Sequence, residues 1–352
     1  MLFESLLNRS RTILVAAMLW TTLGSSTAAS VDKKLVVVTT TPNLAALVEA
    51  VGRDAVDVHS LARPGEDPHF VEARPSFVRL LHSADLLVIV GLDSEAGYLP
   101  TLTIQARNPK IQPGGLGFFD ASEAVDRIVP AREGIMARAL GDIHPRGNPH
   151  YLLDPVEGLR VARRLTERLS RLAPETRTTF EKNYLAFRDS LLTKLYGADA
   201  VKILGPQALA MASFGGSDAV RHLLSSRNLP PGGWEGEVAP IAGTPFVADH
   251  KLWPYFARRF GFREVELLEP FPGVAPTARH LQKVIEEMRA QKVELILSSS
   301  YFRDQYANKV ARETGARVAF MADQVGIDES AGSYIEMTQT NLNRIRAALE
   351  RP

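Results

Sequence analysis

Residues 154–197 read DPVEGLRVARRLTERLSRLAPETRTTFEKNYLAFRDSLLTKLYG, and this stretch decides the fold. Asp154, Pro155 and Glu157 supply an N-cap, a first-turn proline and the carboxylate of a capping box. Leu159, Ala162, Leu165, Leu169 and Leu172 then repeat on one helical face. A second helix starts at Pro174 and repeats Phe180, Tyr184, Phe187, Leu191 and Leu195; at 1.5 Å per residue it runs roughly 35 Å, the diameter of a small domain. On either side the texture changes. Apolar runs suited to buried parallel strands recur at 35–38 and 86–90 before the helices, and at 246–248, 265–268, 295–297 and 318–321 after them. They alternate with helical patterns, which predicts α/β layering. A long helix between two such halves is a rigid connector rather than a flexible linker. The Pro/Gly-rich residues 229–234 read as a surface loop, and no internal sequence repeat is found.

The amino terminus carries Arg9 and Arg11, an apolar run from about residue 12 to 23, and then Ser25, Ser26, Thr27, Ala28 and Ala29. This is the pattern of a cleaved export signal, its apolar run shorter than the roughly 20 residues that span a bilayer; an uncleaved amino-terminal anchor is the alternative. The chain has no cysteine, which excludes a disulfide framework, a thiolate metal site and a lipid-modified cysteine, and points to a periplasm. A net charge of +1 gives no electrostatic case for nucleic acid or a membrane surface. At 352 residues and 45% hydrophobic content the chain can hold two domains. The expected division is an export signal at 1–29, an N-terminal α/β lobe at 34–173, a bridging helix at 174–200 and a C-terminal α/β lobe at 201–352.

Ligand sites in parallel sheets gather at the carboxyl ends of strands. His69, His150 and His250 each sit where a predicted strand gives way to a turn or helix, and together they read as a metal site drawn from distant parts of the chain. His69 and His150 each follow a proline, which fixes the backbone at the turn. Asp323 follows the run 318–321 and is either a fourth ligand or a turn aspartate before Gly326. Glu66 and Asp67 are either hydrogen-bond partners of His69 or solvated loop charges. Asp154 is read as a helix cap, and Asp249 as pointing away from His250. His59, His82, His222 and His280 have no supporting context. His144 could capture an ion at a cleft mouth, although a plain loop histidine is the simpler reading.

These contexts resemble the periplasmic metal-binding proteins of the zinc and manganese ABC importers, the zinc-uptake and treponemal-surface type called cluster A-I. The resemblance rests on Gly65-Glu66-Asp67-Pro68-His69, on residues 148–155, on His250 with Tyr255 to Gly261, and on Asp323-Gln324-Val325-Gly326, and it covers residues 34–349. It implies two Rossmann-like α/β lobes with mainly parallel sheets, bridged by one long helix, with a single ion in the interlobe cleft. His69 and His150 would come from the first lobe, His250 and Asp323 from the second. The chain departs from the family in lacking a His/Asp-rich loop after the first ligand turn, and in having Gln324 where proline is usual.

The resemblance implies a monomeric carrier that captures Zn²⁺ as transported ligand and delivers it to a membrane permease of an ABC importer, with no nucleic-acid partner. Three imidazoles and a carboxylate suit four-coordinate zinc at about 2.0–2.2 Å, and Mn²⁺, which prefers more oxygen ligands, is the alternative. The bridging helix should limit hinge opening, so that release proceeds by local shifts around the second lobe. An exported metallohydrolase would need an open coordination position and a general base, for which only Glu66 is near, and no His-Glu-x-x-His segment is present. An organic-solute binder would fit the architecture without needing the histidines. Because protons compete for imidazole lone pairs, metal affinity should fall as pH drops below about 6.5. Equal affinities by titration calorimetry in neutral and mildly acidic buffer would argue against histidine ligation.

Overall fold

The computed structural model describes residues 34–129, 144–270, 274–299 and 304–350; the expected export signal at 1–29 lies outside them. Two four-stranded parallel sheets are present. The first comprises β1 (Leu35–Thr39), β2 (Val56–Ser60), β3 (Leu86–Ile89) and β4 (Phe118–Asp120) in the order β2-β1-β3-β4. The second comprises β5 (Pro245–Ala248), β6 (Arg263–Leu267), β7 (Leu295–Ser299) and β8 (Arg317–Met321) in the order β6-β5-β7-β8. The two halves thus share one topology despite having no visible sequence repeat. Strand order reverses between β1 and β3, and again between β5 and β7, the switch points where open α/β sheets place ligands.

Side chains alternate across each sheet with the strand period of two. Val37, Leu86 and Val88 face one way, into the same core as Phe246, Ala248, Leu295 and Leu297 of the second sheet. Val38 and Leu87 face a separate cluster in the first lobe, and Val247 and Ile296 face another in the second. Each lobe therefore has a private outer core and contributes its inner face to one shared core. The strands β2 and β4 were not expected. The first is a half-polar Val-Asp-Val-His-Ser segment and the second has three residues, so neither offers an apolar run long enough to read.

The connecting helices form as expected, with corrected ends and caps. The first lobe holds α1 (Pro42–Gly52), α2 (Pro75–Ser83) and α3 (Leu99–Ala106); α4 spans Pro155–Leu172 and α5 spans Arg177–Tyr196, the latter about 30 Å long at 1.5 Å per residue. Residues Pro174–Thr176 form a separate 3₁₀ turn. Asp154 caps α4 by accepting from Val156 N at 2.9 Å. The expected capping box is absent, because the buried Glu157 carboxylate instead accepts from Asp126 N at 3.0 Å and pairs with Arg160 and Arg258. α5 touches both lobes: Asn183 Nδ2 donates to Val51 O at 2.9 Å, at the end of the first-lobe helix α1 (Pro42–Gly52), and Phe187 packs on Tyr334. Tyr334 opens the C-terminal helix Tyr334–Leu349. Trp234, assigned above to a surface loop, is fully buried in the short helix Gly233–Val238, its indole N–H donating to Gln339 Oε1 at 2.9 Å. No helix among the described residues is long and apolar enough to cross a membrane.

Behind the cleft the lobes are joined by a buried ion pair. Arg259, on the helix Pro254–Phe260, donates from Nε to Asp154 Oδ1 at 2.8 Å, and both side chains are almost wholly buried. Tyr334 Oη donates to Leu152 O at 2.6 Å and lies 3.3 Å from the backbone carbonyl Asp154 O, so three helices meet at one residue. Gly158 permits this approach, since a Cβ there would collide with the Tyr334 hydroxyl. Substituting Arg259→Ala leaves Asp154 charged and buried without its cation and should cost about 3–5 kcal/mol, measured by urea unfolding. Glu157 offers a pH test. Burial, then the charge of Asp154, push its carboxyl up from 4.5 to about 7. The folded state then holds more protons than the unfolded one between those values, so stability falls as pH rises through that window. The loss is on the order of 3 kcal/mol, and Glu157→Gln should remove that slope from unfolding curves taken at pH 5, 6 and 7.

Candidate metal site

The carboxyl ends of β1 and β3 and the turns bearing His69 and His150 enclose a cavity of about 40 Å³. Thr41, Asn43, His69, Val90, Ser94, His150, Asp323 and Gln324 are among its lining residues. The structure thus brings His69, His150 and Asp323 together. His250 is buried beside the cavity rather than among its lining residues, two positions before Leu252, which does line it. As the side chains stand, no group of three His, Cys, Asp or Glu residues among the described residues is already positioned to hold a metal ion.

Each histidine turn is fixed by identifiable contacts. Asp67 Oδ1 accepts from His69 N at 3.0 Å and lies 2.9 Å from His69 Nδ1, which fixes the orientation of the ring. Glu66, the other candidate partner, instead accepts from Arg63 N at 3.1 Å and lies near Arg74. His150 begins a 3₁₀ turn, its N–H donating to Asn148 Oδ1 at 2.9 Å, and Tyr151 Oη donates to Val90 O at 2.8 Å, tying the turn to the end of β3. Asn148 Nδ2 donates to Lys251 O at 2.9 Å, so one amide holds the backbone at both His150 and the neighbour of His250. The His250 Nδ1 atom lies 3.3 Å from Glu269 O. Asp249 serves as a backbone anchor, accepting from His250 N at 2.8 Å and from Ser299 N. Burial, together with the charge of Asp323, pushes its carboxyl up to about 7.

Asp323 is held by a feature that the sequence did not reveal. Asn43 Nδ2 donates to Asp323 O at 2.9 Å while its Oδ1 accepts from Val325 N at 2.8 Å. In the reverse direction, Gln324 Nε2 donates to Glu66 O at 2.9 Å and its Oε1 accepts from Gly65 N at 2.9 Å. One carboxamide thus grips the loop that carries Asp323 and the other the loop that carries His69. The residue that departs from the family's proline makes half of this clamp. Gly326 has φ +80°, and a Cβ there would crowd Pro64 of the facing loop, which explains glycine at that position. Glu95 was also missed: its buried carboxylate accepts from Thr40 Oγ1 at 2.6 Å, Val90 N at 2.7 Å and Gly91 N at 3.1 Å, binding the turns after β1 and β3 together. Burial raises its pKa. His59, His82, His222 and His280 are not among the cavity's lining residues, and neither are His144 and His250.

Two like-built parallel lobes closing on a small cavity define a two-lobed solute-binding protein. The pattern of the family described as "ZnuA: Zinc-uptake complex component A periplasmic" matches residues 37–195 and 234–348, more than three-quarters of the chain, and the protein belongs to that family. The family is one of substrate-binding proteins of ABC importers, not of enzymes. The metal ABC transporter substrate-binding lipoprotein SloC of Streptococcus mutans is 23% identical over 321 residues, covering 90% of this chain and 91% of that protein. The manganese ABC transporter substrate-binding lipoprotein PsaA of Streptococcus pneumoniae is 23% identical over 332 residues, covering 93% of each. A crystal structure of ZnuA superposes with a TM-score of 0.62 at 18% identity, over 89% of this chain and 99% of that one. The Mn-bound periplasmic metal binding protein from Candidatus Liberibacter asiaticus gives 0.65 at 19% identity, over 90% and 100%. These structural likenesses show the fold.

The Asp67–His69 contact generates a direct test. Loss of a carboxylate that orients a ligating imidazole costs about 10–100-fold in metal affinity, so Asp67→Ala should weaken binding by that factor. Thermal unfolding of the metal-free variant should stay close to that of the parent.

Proposed function

We propose that the protein captures one Zn²⁺ ion in this cleft, with His69 and His150 from the first lobe and His250 and Asp323 from the second, and hands it to the permease of an ABC importer. The observation that carries this reading is the cavity of about 40 Å³ with two imidazoles and a carboxylate among its lining residues. Pockets for organic solutes are typically about 300–1,000 Å³, so this one suits an ion and disfavours the organic-solute alternative. Nitrogen-rich donors favour zinc over manganese. Manganese is the second reading, because relatives such as PsaA carry that metal in their names.

The same reading makes the protein a periplasmic monomer, exported by removal of residues 1–29, with lobes at 34–173 and 201–352 around a connector at 174–200. The relatives named above are lipoproteins, whereas this chain has no cysteine to carry a lipid. Retention in a periplasm replaces the lipid anchor. The test is metal content by mass spectrometry on the mature protein, stripped and then offered equimolar zinc and manganese beside a His150→Ala variant. About one zinc per chain, lost in the variant, is the expected result. Preferred manganese would reverse the metal assignment, and no retained metal would overturn the reading.

A further inference from the structure

His144 is the imidazole at this cleft that the proposed ligand set leaves out. It is 9% exposed, and its Nδ1 stands 2.8 Å from Leu92 O. A neutral ring donating from Nδ1 keeps its lone pair on Nε2, the form that a ligand needs. His82 and His280 make similar carbonyl contacts away from the cavity, so that contact alone does not mark a ligand. Ring spacing does. Two imidazoles sharing one tetrahedral ion at about 2.0–2.1 Å from nitrogen place their centroids about 5.2 Å apart. The His69 and His144 centroids are 5.1 Å apart, and those of His69 and His150 are 5.6 Å apart. His69 thus has two other imidazoles at sharing distance, all three from the first half of the chain.

The turn carrying His144 is also anchored. Gly91, Leu92 and Asp93 have consecutive positive φ values of 77°, 56° and 67°, which places the acceptor of His144 in a backbone conformation that Leu and Asp rarely adopt. Arg146 lies 3.7 Å from Asp93, and Gly147 N donates to His144 O at 3.1 Å. We infer that His144 is a metal ligand, forming with His69 and His150 a three-imidazole set that can hold zinc on the first lobe without His250 or Asp323. The inference rests on the proposed reading of the cleft as an ion site. It gives the ion a resting place while second-lobe ligands engage or withdraw, so that loading and release need no wide separation of the lobes.

The test uses zinc titration calorimetry on the full mature chain, with the absorption spectrum of the cobalt(II) form as a second readout of ligand number. The proteins are the parent, His144→Ala, a His250→Ala/Asp323→Ala double variant, and the double variant with His144→Ala added. His144→Gln, which retains a donor for Leu92 O, separates lost ligation from lost packing, and metal-free unfolding curves check folding. The double variant should retain about one zinc, and adding either substitution at His144 should weaken it by at least about tenfold, the low end of what even a neighbour of a ligand contributes. Equal binding with and without His144, or no zinc in a folded double variant while the parent binds, overturns the inference alone. A parent that binds no zinc overturns the ion reading as well.

Discussion

The buried contact between Asp154 and Arg259 is the constraint on which the rest of the arrangement depends. One carboxylate oxygen, Asp154 Oδ1, accepts both from the first turn of α4 and from the guanidinium on a second-lobe helix. Its own backbone carbonyl meets the Tyr334 hydroxyl. Neither charge is stable in that interior without the other. The requirement fixes the crossing of three helices and the path of the chain immediately after the His150 turn. With one core cluster shared by both sheets, the back of the molecule behaves as a solid block. Any adjustment to an ion falls to the loops at the strand ends.

Much of this was legible in the residues because the signals were local. Val, Ile and Leu runs marked six strands, Pro68 and Pro149 marked rigid histidine turns, and Asp154 was recognisable as a cap. What escaped depends on partners far away in the chain. Gln324 and Gly65 are 259 positions apart and Asn43 and Asp323 are 280 apart, so nothing near either amide announces the clamp. Glu157 sits at the correct capping-box position, yet Asp126, Arg160 and Arg258 supply stronger partners than the helix start. Trp234 follows two prolines and two glycines that mimic a surface loop, but its ring has the shared core to fill. His144 shows why spacing along the chain is a poor guide to a ligand set. Six residues separate it from His150, and it is His69, much further away in sequence, whose ring it approaches.

The identical strand order of the two sheets gives both lobes a switch point. The two are used differently. In the first, Glu95 ties the strand-end turns together and the histidine loops lie above them. In the second, Asp249 performs the corresponding tie between the ends of β5 and β7 by accepting from Ser299 N, and the adjacent His250 points its Nδ1 toward Glu269 O. A buried carboxylate beneath each set of loops is an economical way to brace the turn above it. Its acceptor oxygens satisfy backbone N–H groups that strand pairing has left over.

The crossed carboxamides of Asn43 and Gln324 carry no charge. Salt shortens the reach of exposed ionic contacts to about 8–10 Å or less, which touches pairs such as Arg258 with Asp126 on the outer wall. An amide paired with a peptide group has no ion atmosphere to lose. The crossed amides are therefore indifferent to the salinity of the surrounding medium, whereas the exposed ion pairs of the outer wall weaken in it.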